Sequence, residues 1–144
     1  MTVHFSPQGQ DKWLDNDEFS TEFLKLLAAA QEGGSMVSEC FLVASRIDPR
    51  DRANSWHREW LGIAERNAAR ADAALACGHA LTARSNWLRA VNYYQAATFV
   101  LDSTDARRQH AIEAMRACAR RYVAHLTPAG ETVEIPWLQH HPLE

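Results

Sequence analysis

Residues 55–77 read SWHREWLGIAERNAARADAALAC, and no proline falls between Arg50 and Thr127. Trp56, Trp60, Ile63, Ala64, Ala68, Ala71 and Leu75 recur at intervals of three and four, the spacing that gathers side chains on one side of an α-helix. The stretch is dense in alanine, leucine and arginine, and all three favour helix. Gly78 follows directly and suits the left-handed residue that ends a helix. The stretch therefore predicts a helix from about Ser55 to Cys77.

The same logic extends in both directions. Downstream, a helix runs from Thr82, as N-cap, to about Leu101, with Trp87, Leu88, Val91, Tyr94 and Ala97 facing inward. Ser103 or Thr104 opens another that reaches about His125, with Ile112, Met115, Ala119, Tyr122 and Leu126 as its stripe. Upstream, Val37, Cys40, Phe41 and Ala44 stripe a helix over about Met36 to Arg46, with Ser35 as N-cap. Phe19, Phe23, Leu26, Leu27 and Ala30 stripe one over about Asp17 to Ala30, ended by Gly33-Gly34. Short connections make successive helices antiparallel neighbours. The Trp56/Trp60 stripe is expected against the fourth helix near Tyr94.

The tail changes period. Over Glu131–Trp137, Val133, Ile135 and Trp137 alternate with polar residues, the mark of a strand. A lone strand leaves its backbone groups unpaired. It needs a mate in a dimer or in another segment. The fold class is thus all-α: an antiparallel helical domain of about five helices over 17–130, preceded by an extension over 1–16 and followed by one short strand in 131–144.

Composition narrows the function classes. The chain is 47% hydrophobic and 23% charged, with a net charge of −3. That excludes wholesale disorder and argues against a nucleic-acid partner. No apolar run reaches the length of a membrane span, and Met1–Gln10 has no signal-peptide pattern. Cys40, Cys77 and Cys118 are odd in number and widely spaced, which fits buried thiols in a reducing, cytoplasmic setting.

No complete catalytic signature is present. Gly33-Gly34-Ser35-Met36-Val37 lacks the last glycine of a nucleophile elbow and lies between two helices, where the motif needs a strand-to-helix turn. The seven histidines form no metal-binding spacing, so no metal or cofactor is expected. Arg107-Arg108 and Arg120-Arg121 suit a solvated helix face. Trp56, Trp60, Tyr93 and Tyr94 are either core or the wall of a pocket, since tryptophan and tyrosine combine apolar area with a polar tip. Glu39, beside an apolar stripe, is either exposed or faces such a pocket, and Arg89 is a second group able to fix a polar ligand.

A family resemblance is carried by Phe19-x3-Phe23-Leu24, Gly33-Gly34, Ser38-Glu39-Cys40, Ala44-Ser45-Arg46-Ile47-Asp48, Ser55-Trp56-x2-Glu59-Trp60, Gly78-His79, Ala83-Arg84, Arg89-Ala90-x2-Tyr93-Tyr94-x2-Ala97-x-Phe99 and Val133-Glu134-Ile135-Pro136. In this order they resemble the N-terminal helical region of α/β-hydrolases of the group around 2,6-dihydroxypseudooxynicotine hydrolase and the fermentation–respiration switch protein. Gln31-Glu32 depart from the aromatic residue that often precedes the paired glycines there. The resemblance implies a lid over a serine α/β-hydrolase catalytic domain, an esterase or C–C hydrolase, supplied in cis or in trans. It leaves no catalytic residue in this chain. Glu39, Trp56, Trp60, Arg89, Tyr93 and Tyr94 become the candidate substrate-binding set, for an aromatic or polyketide-like molecule. Two alternatives stand beside it. One is a freestanding small-molecule-binding or cyclase-like helical protein, dimeric through its tail strand. The other is a helical-repeat scaffold, for which no second repeat is found.

Overall fold

The computed structural model describes residues 16–133, 135–137 and 141–143. Five α-helices lie among them: α1 (Asp17–Ala29), α2 (Val37–Ala44), α3 (Arg52–Ala76), α4 (Ala80–Thr98) and α5 (Ala106–Ala124). A 3-10 turn over Ala30–Glu32 extends α1. The expected extension over 1–16 lies, except for Asn16, outside the described residues. No helix among the described residues is long and apolar enough to cross a membrane.

Several helix ends follow from local chemistry. Asn16 caps α1 by accepting the Phe19 N–H at 3.1 Å. Asp105, not Ser103 or Thr104, caps α5 by accepting the Arg107 N–H at 2.8 Å. At the end of α3, Gly78 takes φ 78°. The Gly78 N–H reaches Leu75 O and the His79 N–H reaches Ala74 O, the two bonds of a Schellman turn. Two expected caps do not form. The Ser35 hydroxyl donates to Leu26 O instead, and α4 starts at Ala80, before Thr82.

Paired contacts fix the helix directions. Trp56 meets Ala96, Trp60 meets Tyr93 and Asp72 meets Trp87. Rising numbers on α3 thus meet falling numbers on α4, so the two run antiparallel. Arg84 reaches His125 O, and Arg108, in the first turn of α5, reaches Leu101 O just past α4, which makes α4 and α5 antiparallel as well. Helix α4 is therefore central, with α3 and α5 on either side and α1 and α2 closing the α3–α4 end that carries Trp56 and Trp60.

Phe23, Val43, Trp56, Trp60, Ile63, Trp87 and Tyr93 are the largest apolar side chains buried in the core. Trp60 stacks at 5.5 Å on Tyr93, not on Tyr94. Trp56 lies 5.5 Å from Trp60 and meets Phe19 edge-on at 5.0 Å. Two expected stripes are rotated. On α2 the buried residues are Glu39, Cys40 and Val43, while Val37 and Phe41 are exposed. On α5 they are Ala111 and Cys118, while Met115 and Tyr122 of the expected stripe are partly buried against the core. Leu75, at the free end of α3, is also exposed, as is Cys77.

The tail also differs from expectation. The backbone is extended over Ile135–Trp137 and again over His141–Leu143. These short segments pair antiparallel, Ile135 opposite Leu143 and Trp137 opposite His141. Residues 131–133 are not part of a strand. The single unpaired strand expected over 131–137 is thus replaced by a small hairpin, and its unmet backbone groups no longer call for a dimer.

Candidate functional site

Helix α2 carries one charge, Glu39, and it points inward: the residue is 7% exposed. A carboxylate in that position must be matched by donors, since an unpaired buried charge is very costly. Three donors converge on it. The Tyr93 hydroxyl on α4 donates to Oε2 at 2.9 Å. Asn67 Nδ2 on α3 lies 3.3 and 3.2 Å from Oε1 and Oε2, and Arg70, one turn further, donates to Oε1 at 2.8 Å. The Tyr93 oxygen in turn accepts the Met36 N–H at 2.8 Å, one of the amides that a helix start leaves without an internal partner.

This cluster joins three helices through one carboxylate. Asn67 and Arg70 were not among the candidates drawn from the sequence. A signal for Asn67 exists: it is the polar residue on the face shared by Trp60, Ile63, Ala64 and Ala71, where an amide needs partners. Nothing in the sequence pointed to Arg70, whose side chain is half exposed. Arg89 is half-buried and donates to Ser85 O and Ser85 Oγ on its own helix. The cation paired with Glu39 is therefore Arg70.

The other candidates lie inside the domain. Trp56 Nε1 donates to Ala96 O at 2.8 Å, and His57 Nδ1 lies 2.9 Å from Ala97 O. A carbonyl only accepts, so Nδ1 carries the hydrogen. Both bonds go to carbonyls in the last turn of α4, where Ala96 O also accepts the Phe99 N–H at 3.2 Å. Trp60 Nε1 and Asn67 Oδ1, both fully buried, have no hydrogen-bond partner among the described residues. Tyr94 on α4 is also buried.

Burial sets the protonation of the neighbouring groups. It pushes the Tyr93 phenol well above its ordinary value and Tyr94 up to about 12. It also raises the Cys40 and Cys118 thiols. At neutral pH these groups stay protonated, which makes them poor bases and nucleophiles. Ser35 is buried, and its hydroxyl is directed to a backbone carbonyl. Among the described residues no three histidines, cysteines or carboxylates gather as a metal site. An open groove of about 310 Å³ lies elsewhere, between α5 and residues 131–133, lined by Arg116, Arg120, Val123 and Val133 among others.

Against known proteins, the chain contains a region related to proteins named α/β hydrolases. It is 37% identical over 89 residues to the hydrolyase poxO of Penicillium oxalicum, covering 62% of this chain and 21% of that protein. It is 31% identical over 119 residues to the α/β hydrolase xenA of Xenoacremonium sinensis, covering 83% and 28%. The 20-hydroxy-prefusarin hydrolase of Gibberella moniliformis is 39% identical over 89 residues, covering 62% and 21%. The chain thus spans between about a fifth and somewhat over a quarter of the length of these relatives. No family model matches the chain, and no solved structure matches it.

Proposed function

We propose that this chain is the helical cap of an α/β-hydrolase-like protein of the group around 2,6-dihydroxypseudooxynicotine hydrolase, shaping the substrate pocket of a serine hydrolase domain. The observation that carries the proposal is the match over 83% of this chain to 28% of a named α/β hydrolase: almost the whole helical domain corresponds to one part of a much longer enzyme. A cap of this kind excludes water from the reacting centre and orients the substrate. The partner is a hydrolase catalytic domain, in cis or in trans, and the setting is the cytoplasm.

In this reading the aromatic set works from behind the pocket. Trp56, Trp60, Tyr93 and Tyr94 set the separation of α3, α4 and α5, and Glu39 holds α2 in place. Arg89 is the member of the set with a side chain partly open to solvent. An aromatic or polyketide-like substrate suits a pocket closed by such a cap, and one relative is named for 20-hydroxy-prefusarin. The freestanding binding protein is the weaker alternative, because the aromatic side chains that would line its cavity fill the core against one another.

A transplant tests the proposal. The matched segment of the Penicillium oxalicum hydrolyase is deleted and then replaced by residues 16–133 of this chain. Deletion should abolish turnover of p-nitrophenyl acetate or another ester accepted by the parent, and replacement should restore it. A deletion that leaves turnover and substrate preference unchanged would end the cap reading.

A further inference from the structure

Helix α2 is inside-out. Its one charge is buried, while its outer arc of Val37, Ser38, Phe41, Leu42 and Ser45 contains no charged residue. Val37 is 48%, Phe41 44% and Leu42 42% exposed, and Met36 at the helix start is 44% exposed. Phe41 also meets Phe23 edge-on at 5.5 Å. A helix apolar on all sides is normally covered on all sides, and an interface core is depleted in charge. The buried face is already committed, because Glu39 is tied to Tyr93, Asn67 and Arg70. Rotating α2 to hide the apolar arc would break those bonds.

We infer that the outer arc of α2, with Val37 and Leu42 at its edges, is the surface on which the hydrolase catalytic domain docks. The inference rests on the cap reading and adds the contact face to it. The occupant follows from the size of the relatives: the matched segment is 21% of the Penicillium oxalicum protein, so most of that enzyme lies outside it. A cap helix that is apolar toward the outside and locked from the inside presents a rigid face to such a body.

The test uses p-benzoylphenylalanine placed at Val37 or Leu42 in the transplanted hydrolyase, with photo-crosslinks mapped by mass spectrometry. Crosslinks into the hydrolase body are expected. Val37→Ser with Leu42→Ser should lower turnover of the transplant about tenfold or more while leaving the melting temperature of the 144-residue chain nearly unchanged. A transplant that turns over while its probes crosslink only within the helical segment itself, to a second copy, or to nothing overturns the docking face and leaves the cap reading standing. An inactive transplant whose probes still reach the hydrolase body overturns the cap reading and keeps the docking face. Inactivity without such crosslinks overturns both. Sedimentation of the isolated chain provides a further check: a dimer dissociated by the double substitution would make a second copy the occupant.

Discussion

The Tyr93 hydroxyl stands between two partners, donating to Glu39 Oε2 at 2.9 Å and accepting the Met36 N–H at 2.8 Å. One phenol on α4 thereby orients both the buried carboxylate of α2 and the first amide of that helix. The bonds fix which side of α2 faces inward, and so which side is left to meet another body.

Glu39→Ala should destabilise the domain by about 3 kcal/mol, because it strands buried donors on Asn67 and Tyr93. Arg70→Ala should cost about 1 kcal/mol or less, since the Arg70 side chain is half exposed and water replaces much of what it gives up. Urea unfolding of the two variants checks the order. Equal losses would show that the carboxylate depends on the cation more than on the neutral donors.

The two neighbouring tryptophans should respond differently to phenylalanine. Trp56→Phe removes the indole bond to Ala96 O, whereas the Trp60 indole nitrogen has no partner to lose. The first substitution should cost about 1 kcal/mol more than the second. Trp60→Ala should cost about 3–5 kcal/mol through the cavity it opens. A loss well under 1 kcal/mol would remove Trp60 from the core.

Alkali should unfold the domain in a predictable direction. Tyr93 and Tyr94 hold their protons in the folded state above the ordinary tyrosine value of about 10. Their contribution is fully present below about pH 10 and is lost as pH rises, because the unfolded chain then binds fewer protons than the folded one. Each tyrosine contributes a slope of about 1.4 kcal/mol per pH unit, and that of Tyr94 ends near pH 12. Cys40 and Cys118, also raised, add the same sign from the thiol range upward. Urea midpoints between pH 8 and 11 test this, and Tyr93→Phe should flatten the fall.

Gly78→Ala should destabilise by about 1–2 kcal/mol, through left-handed strain alone. No heavy atom lies within 4 Å of the added methyl group, and φ is 78°. A calorimetric melt is sufficient, and an unchanged melting temperature would show that the turn relaxes.

Acting alone, the 144-residue chain should not hydrolyse p-nitrophenyl acetate above a background protein. Ser35 is buried with its hydroxyl on Leu26 O. The raised thiols and phenols are poor nucleophiles. Saturable turnover abolished by a serine-directed phosphonate would show a nucleophile outside this account.

Helix existence was legible because apolar spacing and proline placement are local properties. The long helix containing Trp56 and Trp60 and the Gly78 stop follow from neighbours in sequence, whereas spacing left the aromatic residues as either core or pocket wall. Which face of α2 and α5 is buried did not follow. On α2, hydrophobic spacing favours Val37 and Phe41, but Glu39 turns inward because Tyr93, Asn67 and Arg70 come from two other helices. On α5, Ala111 and Cys118 are buried and Met115 and Tyr122 of the expected stripe only partly so, because the packing against α4, not the spacing along α5, selects the inner face. The hairpin mate of Ile135–Trp137 was missed because His141–Leu143 contains Pro142 and does not alternate in polarity.

The sequence by itself determined a helical domain and helix ends set by residues such as Gly78, since these depend on contacts within a few turns of chain. Only the tertiary structure decided that Glu39 is a buried carboxylate shared by three helices and that the apolar arc of α2 faces outward. The orientation of a short helix depends on donors 28 to 54 residues away, and spacing within that helix carries no information about them.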